Sequence, residues 1–104
     1  MKFSKALDET LKEFGISAKE ISATSCVAES TISRFRRNDR DIQAQSLERI
    51  LGALPEPAKQ YFYIKCLLQD LNADGIALLL YSISIKLRED SKNSHVAEKI
   101  AVAL

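Results

Sequence analysis

Glycine, proline and cysteine are scarce in this sequence. Its 104 residues include 3 Gly and 2 Pro, while 46% of the residues are hydrophobic. This composition excludes a disordered or low-complexity chain and is typical of a compact helical protein. The length suits a single hydrophobic core, so we expect an all-α fold built around one.

Clusters of metal-binding and catalytic residues are also missing. Cys26 and Cys66 form no CxxC pair, and the single histidine, His95, lies far from both along the chain. Paired catalytic carboxylates and a phosphate-binding glycine loop are absent too. We therefore expect no enzyme activity, no metal site, no cofactor and no small-molecule substrate. Both cysteines are predicted to be buried residues of a protein in a reducing compartment.

Long hydrophobic runs do not occur either. The longest, residues 76–81, covers six positions, whereas a helix that crosses a bilayer needs about 20 apolar residues. Charges interrupt the apolar residues of the N-terminal segment MKFSKALDETLKEF, which is not typical of a signal peptide. We expect a cytoplasmic protein that does not bind a membrane.

Positive charge is concentrated in one short segment, although the chain as a whole is nearly neutral. The 15 basic and 14 acidic residues leave a net charge of +1. Residues 34–40, RFRRNDR, contain four arginines and one aspartate, which gives this segment alone a charge of +3. The net charge therefore gives no general argument for a nucleic-acid partner, but the basic charge is localised in this segment.

Helix signals are strong in the first part of the chain. Apolar residues at helical spacing predict a first helix, with Ser4 as its N-cap and Gly15 at its end. Ser17 and Glu20 then have the spacing of a capping box, in which each side chain bonds the backbone amide of the other residue. This box predicts a second helix over residues 18–24.

A third helix is predicted over residues 28–36, after a turn at 25–27. The step of about 100° per residue that turns Ile32 toward the core also turns Ala28 and Phe35 inward. The outward residues of the segment are then Ser30, Ser33, Arg34 and Arg37. One face of this helix is apolar, and the other is polar and basic.

Four further helices are predicted from apolar spacing and end signals. The fourth covers residues 44–54, and the fifth begins at Pro57. Asn72 caps a sixth, for which the alternation over residues 81–87 leaves a strand as the alternative. After a polar break, a short seventh helix is predicted over residues 96–104.

Residues 11–54 resemble the phage-repressor and Cro-like helix-turn-helix family of transcriptional regulators. The likeness is carried by ISATSCVAESTISRFRRNDR followed by SLERILGAL. It implies a repressor-like helix-turn-helix bundle of four to five helices in residues 1–71, with residues 72–104 as a C-terminal helical extension. Cys26 stands where the family usually has Gly, so it must adopt a strained backbone conformation or the turn must differ.

The resemblance implies that the third helix enters the major groove of double-stranded DNA. Candidates for contacts to base edges are Glu29, Ser30, Ser33 and Arg34. Candidates for phosphate contacts are Ser17, Lys19, Arg36, Arg37 and Arg40. Each arginine taken singly could instead be a solvated surface residue.

These residues predict a sequence-specific DNA-binding regulator, a repressor, that reads a palindromic operator as a homodimer. The candidate dimer surface is an apolar face of the sixth helix formed by Leu78, Tyr81 and Ile85. The alternative is that the fifth and seventh helices cover this face within one chain. The alternative function is a protein-interaction module on the same fold, such as an antitoxin or a polymerase adaptor.

Overall fold

The computed structural model of the chain describes residues 2–90, and all regular structure in this range is α-helical. In chain order the helices are α1 (Phe3–Glu13), α2 (Ala18–Ser25), α3 (Glu29–Arg36), α4 (Ala44–Ala53), α5 (Glu56–Asp70) and α6 (Ala73–Asp90). The all-α prediction is confirmed. The strand alternative for residues 81–87 is wrong, because α6 continues through them. The predicted seventh helix and His95 lie outside the described residues.

The chain divides after Asp70 into two compact units, Met1–Asp70 and Leu71–Leu104. The first unit contains α1 to α5 and the hydrophobic core. Its largest fully buried side chains are Leu7, Leu11, Ile32, Ile50 and Thr10. In the described part of the second unit, α6 has no buried residue. Within residues 2–90, no helix has both the length and the apolar content to cross a membrane.

Helix α1 begins before its expected cap. Its N-cap is Lys2, which makes no side-chain cap hydrogen bond, so the prediction that Ser4 caps α1 is wrong. Ser4 is buried instead, and its hydroxyl donates to Asn38 Oδ1 at 3.3 Å. At the other end, Gly15 adopts the left-handed conformation with φ 62°. The prediction of a glycine after this helix is confirmed.

The capping box at the start of α2 is present as predicted. The Glu20 amide donates to Ser17 Oγ at 3.1 Å, and the Ser17 amide donates to the Glu20 carboxylate at 3.4 Å. Ile21 is buried, and Ile16 packs against the same core. The local sequence is therefore sufficient to fix where α2 begins.

The turn between α2 and α3 depends on a left-handed residue. Cys26 has φ 63° and ψ 20°, and its amide donates to the Ser22 carbonyl at 3.2 Å. Of the two alternatives for Cys26, the strained backbone is the one observed. Its side chain is exposed, so the prediction that both cysteines are buried is wrong for Cys26. Cys66 is buried as predicted, and burial raises the pKa of its thiol.

We expect Cys26→Gly to raise the free energy of unfolding by about 0.5–1 kcal/mol, measured by urea denaturation. Glycine adopts a positive φ without the clash that a Cβ atom causes, and this gain exceeds the entropy that glycine adds to the unfolded chain. Cys26→Ala is the matched control, because it removes the thiol but keeps the Cβ. Equal stability changes in the two variants would contradict the backbone explanation.

Helix α3 packs against the core of the first unit through its apolar side. Ile32 and Phe35 are buried. Ala28 is the N-cap of the helix without a side-chain hydrogen bond, and it is exposed rather than turned inward as expected. Just after the helix, Asn38 has φ 61°, a left-handed conformation that asparagine adopts more readily than most residues. Both flanks of α3 thus carry a left-handed residue, Cys26 before it and Asn38 after it.

Helix α5 packs on α1, and its buried residues form a single row along one side. The buried residues in this row, four positions apart, are Ala58, Phe62 and Cys66. The ring of Phe62 stacks on that of Phe3 with centroids 6.5 Å apart. Tyr61 meets Phe14 edge to face at 5.6 Å. The other sides of α5 carry exposed apolar residues.

Candidate nucleic-acid interface

The outward face of α3 presents polar and charged side chains to solvent. Glu29, Ser30 and Arg34 are exposed, and Ser33 is partly exposed. The helix has eight residues, so these side chains lie within about 12 Å of one another along its axis. The face combines an acceptor, two hydroxyls and a guanidinium donor, the groups that recognise base edges.

The start of α2 carries two of the residues predicted to contact phosphate. Lys19 is exposed. The Ser17 hydroxyl is occupied, since it accepts from the Glu20 amide and donates to the Glu20 carboxylate at 3.2 Å. That carboxylate lies where a phosphate would approach the helix end, so the geometry gives Ser17 a capping role and does not favour a phosphate contact.

The arginine cluster separates into two groups. Arg36 Nε donates to Asp8 Oδ1 at 2.9 Å, and the two side chains are only 19% and 26% exposed. Arg37 Nε donates to Asp39 Oδ2 at 3.1 Å, but these side chains are 64% and 61% exposed. Arg34 and Arg40 are exposed as well. Arg36 is therefore held by α1, which argues against its predicted phosphate contact, whereas the other three arginines face solvent.

The sequence pattern predicts no role for Asp8, although this residue holds Arg36 in place. Its second carboxylate oxygen accepts from Lys12 Nζ at 2.9 Å. Burial alone would raise the pKa of the Asp8 carboxyl, but hydrogen bonds and charges from Lys12 and Arg36 outweigh it and hold the pKa below its ordinary value of 3.8. Together with the bond from Ser4 to Asn38, this ion pair ties the C-terminal end of α3 to α1.

We expect Asp8→Asn to lower the free energy of unfolding at pH 7 by roughly 1–2 kcal/mol, because it leaves the mostly buried Arg36 without its counter-ion. A lowered folded-state pKa means that the stabilisation is present above pH 3.8 and is lost as the pH falls below that value. Denaturant titrations of both proteins at pH 7 and at acid pH measure this. Lys12→Gln, which removes the exposed partner, should cost only about 0.3–0.5 kcal/mol. Equal losses in the two variants would contradict a specific role for Arg36.

The residues predicted to form a dimer surface are all exposed on α6. Leu78, Tyr81 and Ile85 are 66%, 65% and 40% exposed. Their spacing places them on one face of the helix. The opposite face also carries exposed apolar residues, among them Ile76 and Ile83. A helix that is apolar on two sides needs cover on both.

Among residues 2–90, no group of three His, Cys, Asp or Glu residues could hold a metal ion. No protein-family model, curated protein or solved structure matches this chain. The candidate interface therefore stands on the residues of the chain itself.

Proposed function

We propose that this chain is a sequence-specific DNA-binding transcriptional regulator, a cytoplasmic repressor that reads a palindromic operator as a homodimer. Its first unit is a repressor-like helix-turn-helix bundle in which α2 and α3 form the motif. The observation that carries the proposal is the outward face of α3, with Glu29, Ser30, Ser33 and Arg34 exposed on a helix whose other side is buried.

Base recognition is assigned to this outward face, because an α-helix fits the major groove of B-DNA. The Arg34 guanidinium can donate two hydrogen bonds to guanine, and the Glu29 carboxylate can accept one from a cytosine amino group. Each such contact provides about 1–3 kcal/mol of discrimination between bases. The hydroxyls of Ser30 and Ser33 can donate or accept and so adapt to either partner.

Phosphate contacts are assigned to Lys19, Arg37 and Arg40, which are exposed around α2 and the end of α3. These contacts fix the position of the helix on the duplex without reading its sequence. This set of phosphate-contacting residues is smaller than the one predicted from the sequence. It leaves out Arg36, which is paired with Asp8, and Ser17, which caps α2.

The homodimer follows from the small size of one module. A single recognition helix makes too few contacts for useful specificity, whereas two related by a two-fold axis read half-sites about 34 Å apart. The exposed face of α6 with Leu78, Tyr81 and Ile85 supplies a self-complementary apolar surface for this purpose.

Salt-dependent DNA binding tests the proposal. Three phosphate contacts per subunit predict a slope of about −5 when the logarithm of the dimer's affinity is plotted against that of salt concentration. Selection of bound duplexes from a random pool should then return a palindrome, giving operator, symmetry and spacing together. An affinity that does not change with salt, or an unenriched pool, would overturn the proposal.

A protein-interaction module is the second candidate, and an apolar groove on the first unit favours it. This groove of about 370 Å³ is lined by Phe3, Leu47, Leu51, Phe62, Tyr63, Cys66 and Leu67. These lining residues belong to α1, α4 and α5, and none of them belongs to α3. An apolar partner helix that binds there would leave Arg34 and Arg37 unused, so binding that survives loss of both arginines identifies this function.

A further inference from the structure

Two adjacent arginines, Arg36 and Arg37, are each paired with an aspartate, but in different surroundings. The pair of Arg36 with Asp8 is mostly buried, and breaking it would leave a charge without a partner. The pair of Arg37 with Asp39 is mostly exposed, and such pairs open at little cost. Only the second pair can exchange its partner readily.

Asp39 is held beside Arg37 by the backbone at the end of α3. Its amide donates to the Arg34 carbonyl at 2.9 Å, and the amide of Asn38 donates to the Phe35 carbonyl at the same distance. Together with the left-handed conformation of Asn38, these bonds form a helix-ending motif that fixes the path of residues 38 and 39. The Asp39 carboxylate is therefore attached to the end of the recognition helix, and its position does not depend on a mobile loop.

We propose that Asp39 is an internal competitor of DNA phosphate for Arg37 and thereby sets the affinity of the interface. This inference rests on the proposed DNA-binding function. In the free protein the Arg37 Nε–H group donates to Asp39; on DNA the same group donates to a phosphate oxygen, and the carboxylate is released.

The competition matters most where binding is purely electrostatic. Contacts to phosphates supply essentially all the affinity for non-operator DNA. Of the three phosphate-contacting cations assigned to each subunit, one is thus partly neutralised before any DNA is bound. Asp39 keeps the protein from being retained on non-operator DNA, while operator binding is also supported by base contacts.

A double-mutant cycle with Asp39 and Arg37 tests this inference. The probe is a labelled mixed-sequence duplex of about 30 base pairs, long enough for two half-sites. Asp39→Asn should raise the affinity about tenfold at moderate salt, since two exposed pairs are removed per dimer. In an Arg37→Ala background the same substitution should change the affinity less than about twofold, because no arginine is left to release.

Asp41→Asn is the matched control. Asp41 is exposed, lies two residues from Asp39, and makes no ion pair within residues 2–90. Asp41→Asn makes the same change in charge as Asp39→Asn but releases no arginine. Its effect on affinity should therefore be smaller and should not depend on Arg37. If Asp39→Asn acts equally in both backgrounds, or no more strongly than Asp41→Asn, the competition is overturned while DNA binding stands. If the wild type shows no salt-dependent binding, the proposed function itself fails, and this inference fails with it.

Discussion

Replacing Arg34 and Arg37 together by alanine should reduce operator affinity by about a thousand-fold or more. Arg34 is assigned to a guanine contact worth about 1–3 kcal/mol, and a dimer loses this contact twice together with two phosphate contacts. Both side chains are exposed, so the fold should be unaffected. Fluorescence anisotropy with a selected operator measures the loss, and circular dichroism checks that the protein remains folded.

The matched control for this variant is the double substitution Lys5→Ala and Arg49→Ala. It removes the same amount of positive charge from exposed positions on α1 and α4. If general charge alone governs binding, the control should lose as much affinity as the variant. We expect it to lose less than about tenfold, because long-range attraction between exposed charges is screened by salt. Equal losses would contradict an interface centred on α3.

Truncating Leu78 and Ile85 together to alanine should convert the proposed dimer into monomers. The two residues lie on one face of α6 and are both exposed in the single chain. Removing their side chains deletes apolar surface from the contact twice, once for each subunit. Light scattering over a range of protein concentrations measures the mass. Operator affinity should fall with it, because a monomer reaches only one half-site.

The opposite face of the same helix provides the control for this experiment. Ile76 and Ile83 have the same spacing as Leu78 and Ile85 and are also exposed. Truncating both to alanine deletes a similar apolar area and should leave the dimer intact. An unchanged dimer in the Leu78/Ile85 variant would contradict the assigned surface, and so would a wild-type protein that is a monomer at all concentrations.

The helix ends that the sequence predicted correctly depend on residues close together along the chain. The capping box needs only Ser17 and Glu20, and the cap of α6 needs only Asn72, whose side chain accepts from the Gly75 amide at 2.9 Å. Ser4 shows where such reasoning fails. A serine before apolar residues is typical of an N-cap, but Ser4 is bonded to Asn38, 34 positions away.

The candidate interface could be predicted in part for the same reason. Which side chains of α3 face outward follows from helical periodicity around Ile32, a local property. The pairing of Arg36 does not, because its partner Asp8 lies 28 positions earlier in a different helix. A cluster of arginines gives no local signal that distinguishes a guanidinium held by the fold from one left in solvent. Ser17 is a different case. Its capping bonds follow from the local sequence, whereas the Glu20 carboxylate that they bring to the end of α2 argues against the predicted phosphate contact.

The division of the chain after Asp70 links assembly to the amount of protein. The described core lies entirely in the first unit, so the melting temperature of this unit should not vary with protein concentration. Helix α6 contributes no buried residue. If it forms the proposed dimer contact, its stability rises with protein concentration by mass action. A cell with few copies would then contain mainly monomers, whose folded first units bind the operator only weakly, and repression would begin only above a threshold number of molecules.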